Sequence, residues 1–294
     1  MIQTLGTIFA GLLGLAFGSF LNVCLSRWPL GESIVLPRSH CRQCDHTLTW
    51  WENVPLLSWL VLGGRCRKCR VWIGWRYPLV ELAVGALWAL IVWPRINLFF
   101  IFGLSEFFYF STLAWIAGMM ILCWLLVGLA VLDAEHLWLP DWVTLPGIAL
   151  GLIFHFAIIY LNIRTAAVEF GASQLVSIPH YLLGILAAAG VILLIRWIYW
   201  LVRRREGIGL GDVKLMALLA AWLGLPQALL AFGLGVVLGA LIGVVLLAVP
   251  STRRSSEGWA ASKLPLGTFL CVGGIVSSLW GQEIIAAYLR WAGF

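Results

Sequence analysis

The stretch Gly207-Ile208-Gly209-Leu210-Gly211-Asp212-Val213-Lys214 places an aspartate behind three glycines at alternate positions. The basic run Arg203-Arg204-Arg205 lies just before it, and a long apolar segment follows it. A carboxylate at the mouth of a membrane helix is costly, which argues that Asp212 has a function and a partner. The rest of the sequence indicates where that partner lies.

The composition excludes a soluble protein. Of the 294 residues, 62% are hydrophobic and 11% are charged, and the mean hydropathy is +0.98. Soluble domains carry about 25% charged residues. Long apolar runs between short basic clusters are typical of spanning helices. The strands of a membrane barrel instead alternate apolar and polar residues in segments of about ten residues. The net charge of +6 is therefore a topology signal and does not indicate nucleic acid binding.

Basic residues predict the orientation of the first helices. Residues 27–76 contain eight Lys or Arg and three acidic residues, so the positive-inside rule places this loop in the cytoplasm and the N-terminus outside. The apolar segment 5–25 lacks a basic n-region and a small-residue cleavage site. We therefore interpret it as a retained first helix and not as a signal peptide.

The later apolar segments predict a bundle of about eight spans with both termini outside. Helices are expected at about 78–93, 111–132, from 141 to about 162, 181–202 and 264–288. Residues 96–110 are expected at the outer interface or as an extension of the third helix. The connecting segments are a polar link at 134–141 and an outer loop at 165–177. About 40 residues separate Asp212 from Arg253, which is tight for two crossings of about 20 residues each. The break is expected near Leu225-Pro226 or at 233–235, and a re-entrant pair is the alternative.

Asp133 is the predicted partner of Asp212. In this topology Asp133 ends the third helix and Asp212 begins the sixth, so both lie at the cytoplasmic side of the membrane. Two carboxylates that approach closely share one proton, so that one can act as a general base on water while the other polarises a carbonyl. This is the chemistry of aspartic proteases. The glycines before Asp212 would allow the backbone to approach an extended substrate closely.

Structural explanations for the polar residues near this pair stay open. Asp212 can serve as a first-turn acid that favours its helix N-terminus, and Asp133 can simply end a helix at the interface. Asp141 follows Leu139-Pro140 and is interpreted as an ordinary N-cap. Lys214 can extend its side chain towards the membrane surface. The remaining polar residues of the link, Glu135 and His136, are interpreted as solvated.

Four of the seven cysteines predict a zinc site. Cys41-x-x-Cys44 and Cys66-x-x-Cys69 are separated by 21 residues, close to the spacing of a zinc ribbon. Four thiolates leave no open coordination position, so the zinc is expected to be structural. Disulfides or a redox motif are the alternative, disfavoured by the predicted reducing compartment. His40 and His46 flank the first pair as loop residues, and Cys24, Cys123 and Cys271 are expected in apolar helices.

Five strings in order resemble the bacterial type IV prepilin peptidases. They are residues 18–29 (GSFLNVCLSRWP), 51–59 (WENVPLLSW), 76–82 (RYPLVEL), 133–146 (DAEHLWLPDWVTLP) and 209–214 (GLGDVK). The resemblance covers most of residues 18–224 and weakens in the last seventy.

The resemblance implies a GxGD-type intramembrane aspartic endopeptidase of the bacterial inner membrane. Members remove the short basic leader of prepilins and pseudopilins of type IV pilus and type II secretion systems, and many then N-methylate the new N-terminus with S-adenosylmethionine. The catalytic aspartates of the family fall on Asp133 and Asp212. The resemblance indicates no methyltransferase residues, so the residues that bind S-adenosylmethionine are unknown at this stage. The glycines at 207, 209 and 211 follow a membrane helix and not a strand, which excludes a dinucleotide-binding loop.

The predicted organisation has three parts: a first transmembrane helix (1–26), a cytoplasmic zinc-binding loop (27–77) and a transmembrane helical catalytic domain (78–294). The expected partners are prepilin substrates and the lipid bilayer, and a homo-oligomer stays open. Two other functions compete with the peptidase. A proton-coupled transporter would place its acids near mid-membrane within inverted repeats. A zinc-ribbon scaffold would bind partner proteins without catalysis.

Overall fold

The structure is a computed structural model that describes residues 2–101, 106–169, 178–205, 209–248 and 264–293. The described residues form α-helices and a long, largely non-helical loop at residues 28–75 that contains two 3-10 turns, and they contain no strands. The α-helices are α1 (Ile2–Arg27), α2 (Leu57–Val61), α3 (Arg76–Ile101), α4 (Glu106–His136), α5 (Asp141–Glu169), α6 (Ile178–Arg203), α7 (Leu210–Leu223), α8 (Leu225–Ala248) and α9 (Leu266–Trp291). The all-α fold predicted from the sequence is confirmed.

Seven of the described helices are long and apolar enough to cross a membrane, namely all except α2 and α7. Their surfaces carry large exposed side chains such as Phe9, Leu12 and Val244, as expected for helices that face lipid. Helix α7 corresponds to the sixth of the eight predicted spans. It has 14 residues and is therefore about 21 Å long, shorter than the hydrocarbon core of about 30 Å.

Several helix ends differ from the predicted ones. Helix α4 continues three residues past Asp133, so the polar link is reduced to residues 137–140. Residues 165–169 extend α5, although they were predicted as outer loop, and residues 170–177 lie outside the described part of the chain. The predicted break between the sixth and seventh helices lies at Gly224, next to Leu225-Pro226. Gly207 and the basic pair Arg253-Arg254 also lie outside the described residues.

The chain divides into two compact units, Met1–Gly128 and Leu129–Phe294. In the first unit, α1 packs against α3 along a seam of small residues. A Cβ at Gly14 would lie 2.8 Å from the Cα of Gly85, and one at Gly18 would lie 2.7 Å from the Cα of Glu81. Such close backbone approach is typical of membrane helix pairs, because lipid provides no hydrophobic drive between apolar helices.

In the second unit, α7 is a short central helix with contacts to α5, α6, α8 and α9. It is apolar around most of its circumference, as expected of a helix enclosed on all sides. Leu215, Leu218 and Leu219 are fully buried. The Trp222 indole N–H donates to the Gly147 carbonyl of α5 (2.9 Å), which ties the end of α7 to its neighbour. This packing fixes the opposite end of α7, where Asp212 lies.

Candidate active site

Asp212 lies in the first turn of α7, and it is buried. The helix begins at Leu210 because Gly209 has an extended backbone, which exposes the first N–H groups of the helix. The Asp212 Oδ2 atom accepts a hydrogen bond from the Gly209 N–H (3.2 Å) and so caps its own helix. The first-turn role weighed from the sequence is therefore present. Burial of a carboxylate in an apolar unit is not explained by capping alone.

Asp133 lies near the end of α4 and makes its hydrogen bonds with the beginning of α9. The Thr268 N–H donates to Oδ2 of Asp133 (2.6 Å), and the Thr268 hydroxyl lies 3.2 Å from the same oxygen and 3.0 Å from the Ala130 carbonyl. Helix α9 has no cap from its own Pro265, so Asp133 satisfies one of its unpaired N–H groups. A helix N-terminus favours a negative charge at this place.

The two carboxylates occupy one electrostatic environment. The charge of Asp133 acts on Asp212, and both charges act on the buried thiol of Cys271 in α9. The catalytic pairing of these two residues, which lie 79 positions apart in the chain, stays a prediction. Among the described residues, no cation contacts either carboxylate, and their hydrogen-bond donors come from the beginnings of α7 and α9.

Leu139, in the short link after α4, closes one side of this environment. A Cβ at Gly267 would lie 2.9 Å from Cγ of Asp133 and 3.0 Å from Cδ1 of Leu139, and one at Gly211 would lie 3.1 Å from the same Leu139 atom. The glycines thus let α9 and α7 approach the link closely. At Gly211 the predicted open slot for substrate is wrong, because Leu139 fills that space. At Gly209 an added Cβ would meet no atom of the described residues closer than 3.6 Å.

Asp141 and Lys214 form an ion pair between α5 and α7. Asp141 begins α5, as the N-cap interpretation placed it, but its carboxylate contacts Lys214 across 73 residues of chain. The side chains are 61% and 31% exposed, so the pair contributes at most about 1 kcal/mol to stability. Glu135 and His136 are likewise partly exposed and contact each other.

The four predicted cysteines meet in the first unit. Their sulfur atoms all lie within 4.8 Å of one another, with 3.7 Å between Cys41 and Cys69 and 3.9 Å between Cys44 and Cys66. Zinc–sulfur bonds of 2.3 Å in a tetrahedron require about 3.8 Å between sulfurs, whereas a disulfide requires about 2.05 Å. The spacing fits a four-thiolate zinc site and does not fit paired disulfides. Cys24, Cys123 and Cys271 are buried in helices, as predicted.

The two Cys-x-x-Cys segments adopt the same turn. In each, the first cysteine N–H donates to the carbonyl five residues ahead, and the N–H four residues ahead donates back to that cysteine. The residues at this fourth position, Asp45 and Arg70, both have positive φ. The Cys69 and Lys68 N–H groups lower the pKa of the Cys66 thiol to about 6, which favours the thiolate that zinc binds.

The histidines beside the first cysteine pair are not part of the sulfur cluster. His46 Nε2 lies 3.4 Å from the Glu52 carboxylate, and His40 Nδ1 lies 3.0 Å from the Arg38 carbonyl. Glu52 is buried, and hydrogen bonds from the hydroxyl and N–H of Thr49 hold the pKa of its carboxyl below the usual range. The predicted loop role of both histidines therefore agrees with the structure.

Thr268 and Gly267 were not found from the sequence. The available signal was weak: a proline, a glycine and a hydroxyl residue within four positions at the beginning of an apolar segment, which is also a common helix start. Their importance depends on Asp133, which lies 135 residues earlier than Thr268. Nothing local in the sequence connects the two segments.

Comparison with known proteins agrees with this arrangement. Residues 12–95 match the model of the bacterial peptidase A24 N-terminal domain, and residues 120–244 match that of the type IV leader peptidase family. Proteins called prepilin leader peptidase/N-methyltransferase include one from Stutzerimonas stutzeri, 35% identical over 95% of this chain and 92% of its own length. That of Pseudomonas aeruginosa is 36% identical over 96% and 93%.

A relative of the same description from Aeromonas salmonicida is 31% identical over 95% of this chain and 92% of its own length. No solved structure matches the chain significantly. The matched regions include both cysteine pairs and both buried aspartates. The chain therefore belongs to the type IV leader peptidase family, a family of membrane enzymes.

Proposed function

We propose that this protein removes the leader of type IV prepilins or pseudopilins at the cytoplasmic face of the bacterial inner membrane and N-methylates the new N-terminus. The observation that carries the peptidase assignment is the buried, electrostatically coupled pair of Asp133 and Asp212. The names of the relatives support both activities. The pilus and secretion context and the membrane location follow from the same relationship and are part of the proposal.

Asp133 and Asp212 together would activate water for attack on the scissile carbonyl. The ionised carboxylate accepts a proton from the water as its oxygen attacks the carbonyl carbon, and the protonated carboxyl donates to the carbonyl oxygen. Collapse of the tetrahedral intermediate breaks the C–N bond, and the leaving amine takes a proton from the pair. No covalent enzyme intermediate is required.

The hydrogen bonds of each carboxylate give it a fixed orientation before substrate binds. Asp212 is held by Gly209 and Asp133 by Thr268, so neither side chain has to be ordered during the reaction. Among the described residues, none lies closer than 3.6 Å to a Cβ added at Gly209, so the backbone of an extended substrate could approach Asp212 there. Both aspartates lie within three residues of helix ends, which argues against the proton-coupled transporter.

The cysteine cluster would hold one structural zinc ion through Cys41, Cys44, Cys66 and Cys69. When bound, zinc would cross-link the two turns of the loop and stabilise its fold. Four thiolates fill a tetrahedral site, so the ion would have no position for water. The scaffold function considered from the sequence would use this cluster alone, and it leaves the buried carboxylates unexplained.

Thr268→Val is expected to lower kcat for leader removal about tenfold and to leave KM unchanged. The change removes a hydroxyl near the Asp133 carboxylate but keeps the backbone N–H, and a hydrogen bond to a charged group is worth about 1.5 kcal/mol or more. Steady-state kinetics with a prepilin substrate measure the effect. Thr268→Ser keeps the hydroxyl and should restore most of kcat, whereas a rise in KM alone would contradict a positioning role.

The proposed function is tested with the purified full chain in detergent or lipid, a prepilin and labelled S-adenosylmethionine. Mass spectrometry of the pilin should show loss of the basic leader and addition of one methyl group to the new N-terminal amine. An intact prepilin would contradict the peptidase assignment. A cleaved but unlabelled pilin would limit the protein to peptidase activity.

A further inference from the structure

The first unit contains a cavity of about 350 Å³ that the peptidase mechanism does not use. It lies between the second half of α1, the beginning of α3 and the cysteine loop, and its lining combines aromatic, acidic, basic and amide side chains. Its size is in the range of small-molecule sites, which measure about 300–1,000 Å³. All of its lining residues belong to the Met1–Gly128 unit.

Asn22 is the clearest sign that the cavity takes a ligand. The residue is 2% exposed, and its Nδ2 donates to the Tyr77 carbonyl (2.9 Å), which fixes the side chain. Among the described residues, its Oδ1 has no hydrogen-bond partner. An acceptor buried without a partner costs about 1–3 kcal/mol. The cavity therefore favours an occupant that donates a hydrogen bond at this point.

Two charged groups of opposite sign line the same cavity. Glu81 is buried in α3, and its Oε2 accepts a hydrogen bond from the Leu56 N–H (2.8 Å). The Arg27 guanidinium is buried at the end of α1 and donates to the Ser33 and Pro37 carbonyls, so no carboxylate neutralises it among these contacts. A zwitterion with both an ammonium and a carboxylate, as in an amino acid, complements these charges.

An aromatic wall completes the cavity. Trp59 and Trp72 line it, with ring centroids 5.7 Å apart and an interplanar angle of 72°. The Trp59 indole N–H donates to the Ile73 carbonyl (3.1 Å), which fixes that ring. Aromatic faces stack on planar bases and attract cations through their quadrupole. The ligand should therefore carry a flat aromatic group or a diffuse positive charge in addition to the amino acid group.

We propose that this cavity binds S-adenosylmethionine, with Asn22 and Glu81 as recognition residues. The inference rests on the methyl transfer in the proposed function and gives that activity its residues. The ammonium of this methyl donor matches Glu81, and its carboxylate matches Arg27. Its adenine and its sulfonium match the aromatic wall, and one of its N–H groups would donate to the Asn22 acceptor. When bound, it would supply its methyl group: the S–C bond breaks with its electron pair left on sulfur, an N–C bond forms to the pilin amine, and the amine proton passes to water.

Binding of the donor to the purified full chain tests the assignment without relying on activity. Isothermal titration with S-adenosylmethionine is made on the wild type, Asn22→Leu and Glu81→Gln, with Glu283→Gln as a matched control on the exposed surface of α9. We expect each cavity variant to raise Kd about 10- to 100-fold and the control to leave it unchanged. Titration with S-adenosylhomocysteine, which keeps the ammonium and the carboxylate but lacks the sulfonium charge, should show the same effect of Glu81→Gln.

Zinc content of the same preparations reports whether the first unit is folded, and leader removal reports whether the second unit is folded, so that the two readouts together separate misfolding from loss of the site. Asn22→Leu and Glu81→Gln should cleave prepilin at the wild-type rate while methylating it poorly. Wild-type Kd values in both variants would overturn the assignment and place the donor elsewhere. A wild type that methylates no pilin and binds no donor would instead refute methyl transfer itself.

Discussion

Asp133→Asn and Asp212→Asn are each expected to reduce leader removal by about 10² to 10⁴-fold, the usual contribution of general acid–base catalysis. Asparagine keeps the shape and the hydrogen-bond acceptor of aspartate but cannot take or give the proton that the pair exchanges with water. The measurement is the rate of leader removal from a prepilin under single-turnover conditions. Methyl transfer to an already cleaved pilin should be unaffected in both variants.

Asp141→Asn is the matched control for these two substitutions. Asp141 lies at the beginning of α5, is largely exposed and contacts Lys214, so its loss should change cleavage by only a few-fold. Near-normal cleavage by Asp133→Asn or Asp212→Asn would show that the aspartate replaced in that variant has a structural role and not a catalytic one. A loss as large in Asp141→Asn as in the buried pair would show that the effect is not specific to Asp133 and Asp212, and would contradict the dyad.

Cys66→Ser is expected to remove zinc from the protein and to unfold the cysteine loop. Structural zinc contributes about 10–16 kcal/mol of binding free energy in small zinc-binding peptides, so the loop fold depends on it. Because Cys41 and Cys66 also line the cavity, binding of the methyl donor should be lost with the metal. Metal analysis of the purified protein and titration with S-adenosylmethionine measure the two effects.

The kcat for leader removal should survive zinc loss, since a four-thiolate site has no open position at which water could be activated. Cys123→Ser, which removes a buried thiol from α4, is the control and should retain one zinc per chain. Full zinc content in Cys66→Ser would contradict the proposed ligand set. Loss of kcat in a chelated but folded protein would contradict a purely structural metal.

The membrane helices and the cluster of four cysteines could be predicted because their signals are local. Apolar segments of about 20 residues define spanning helices, and the Cys-x-x-Cys spacing defines each half of the sulfur cluster. Helix ends were less accurate: α4 runs past Asp133, and α7 is shorter than a full span because Gly224 ends it. Helix α7 can be this short because neighbouring helices bury it, and the sequence pattern does not show that burial.

The pairing of Asp133 with Asp212 was predicted because both residues lie near helix ends on the same predicted side, and as a catalytic pair it stays a prediction. The surroundings of the pair could not be inferred in this way. Thr268 and Leu139 reach it through the packing of α9 and of a short link, and Lys214 contacts Asp141 across 73 residues. The open acceptor of Asn22 is likewise a product of packing between α1 and α3.

The most direct test of joint catalysis by Asp133 and Asp212 compares the two single asparagine variants with the double variant in one single-turnover cleavage assay. Residues that act as one unit are not additive, because removal of either already disables the pair. Asp133→Asn, Asp212→Asn and the double variant are all expected to cleave at the same residual rate. The dyad would be contradicted if the loss of cleavage rate in the double variant equals the product of the two single losses, or if one single variant cleaves near the wild-type rate.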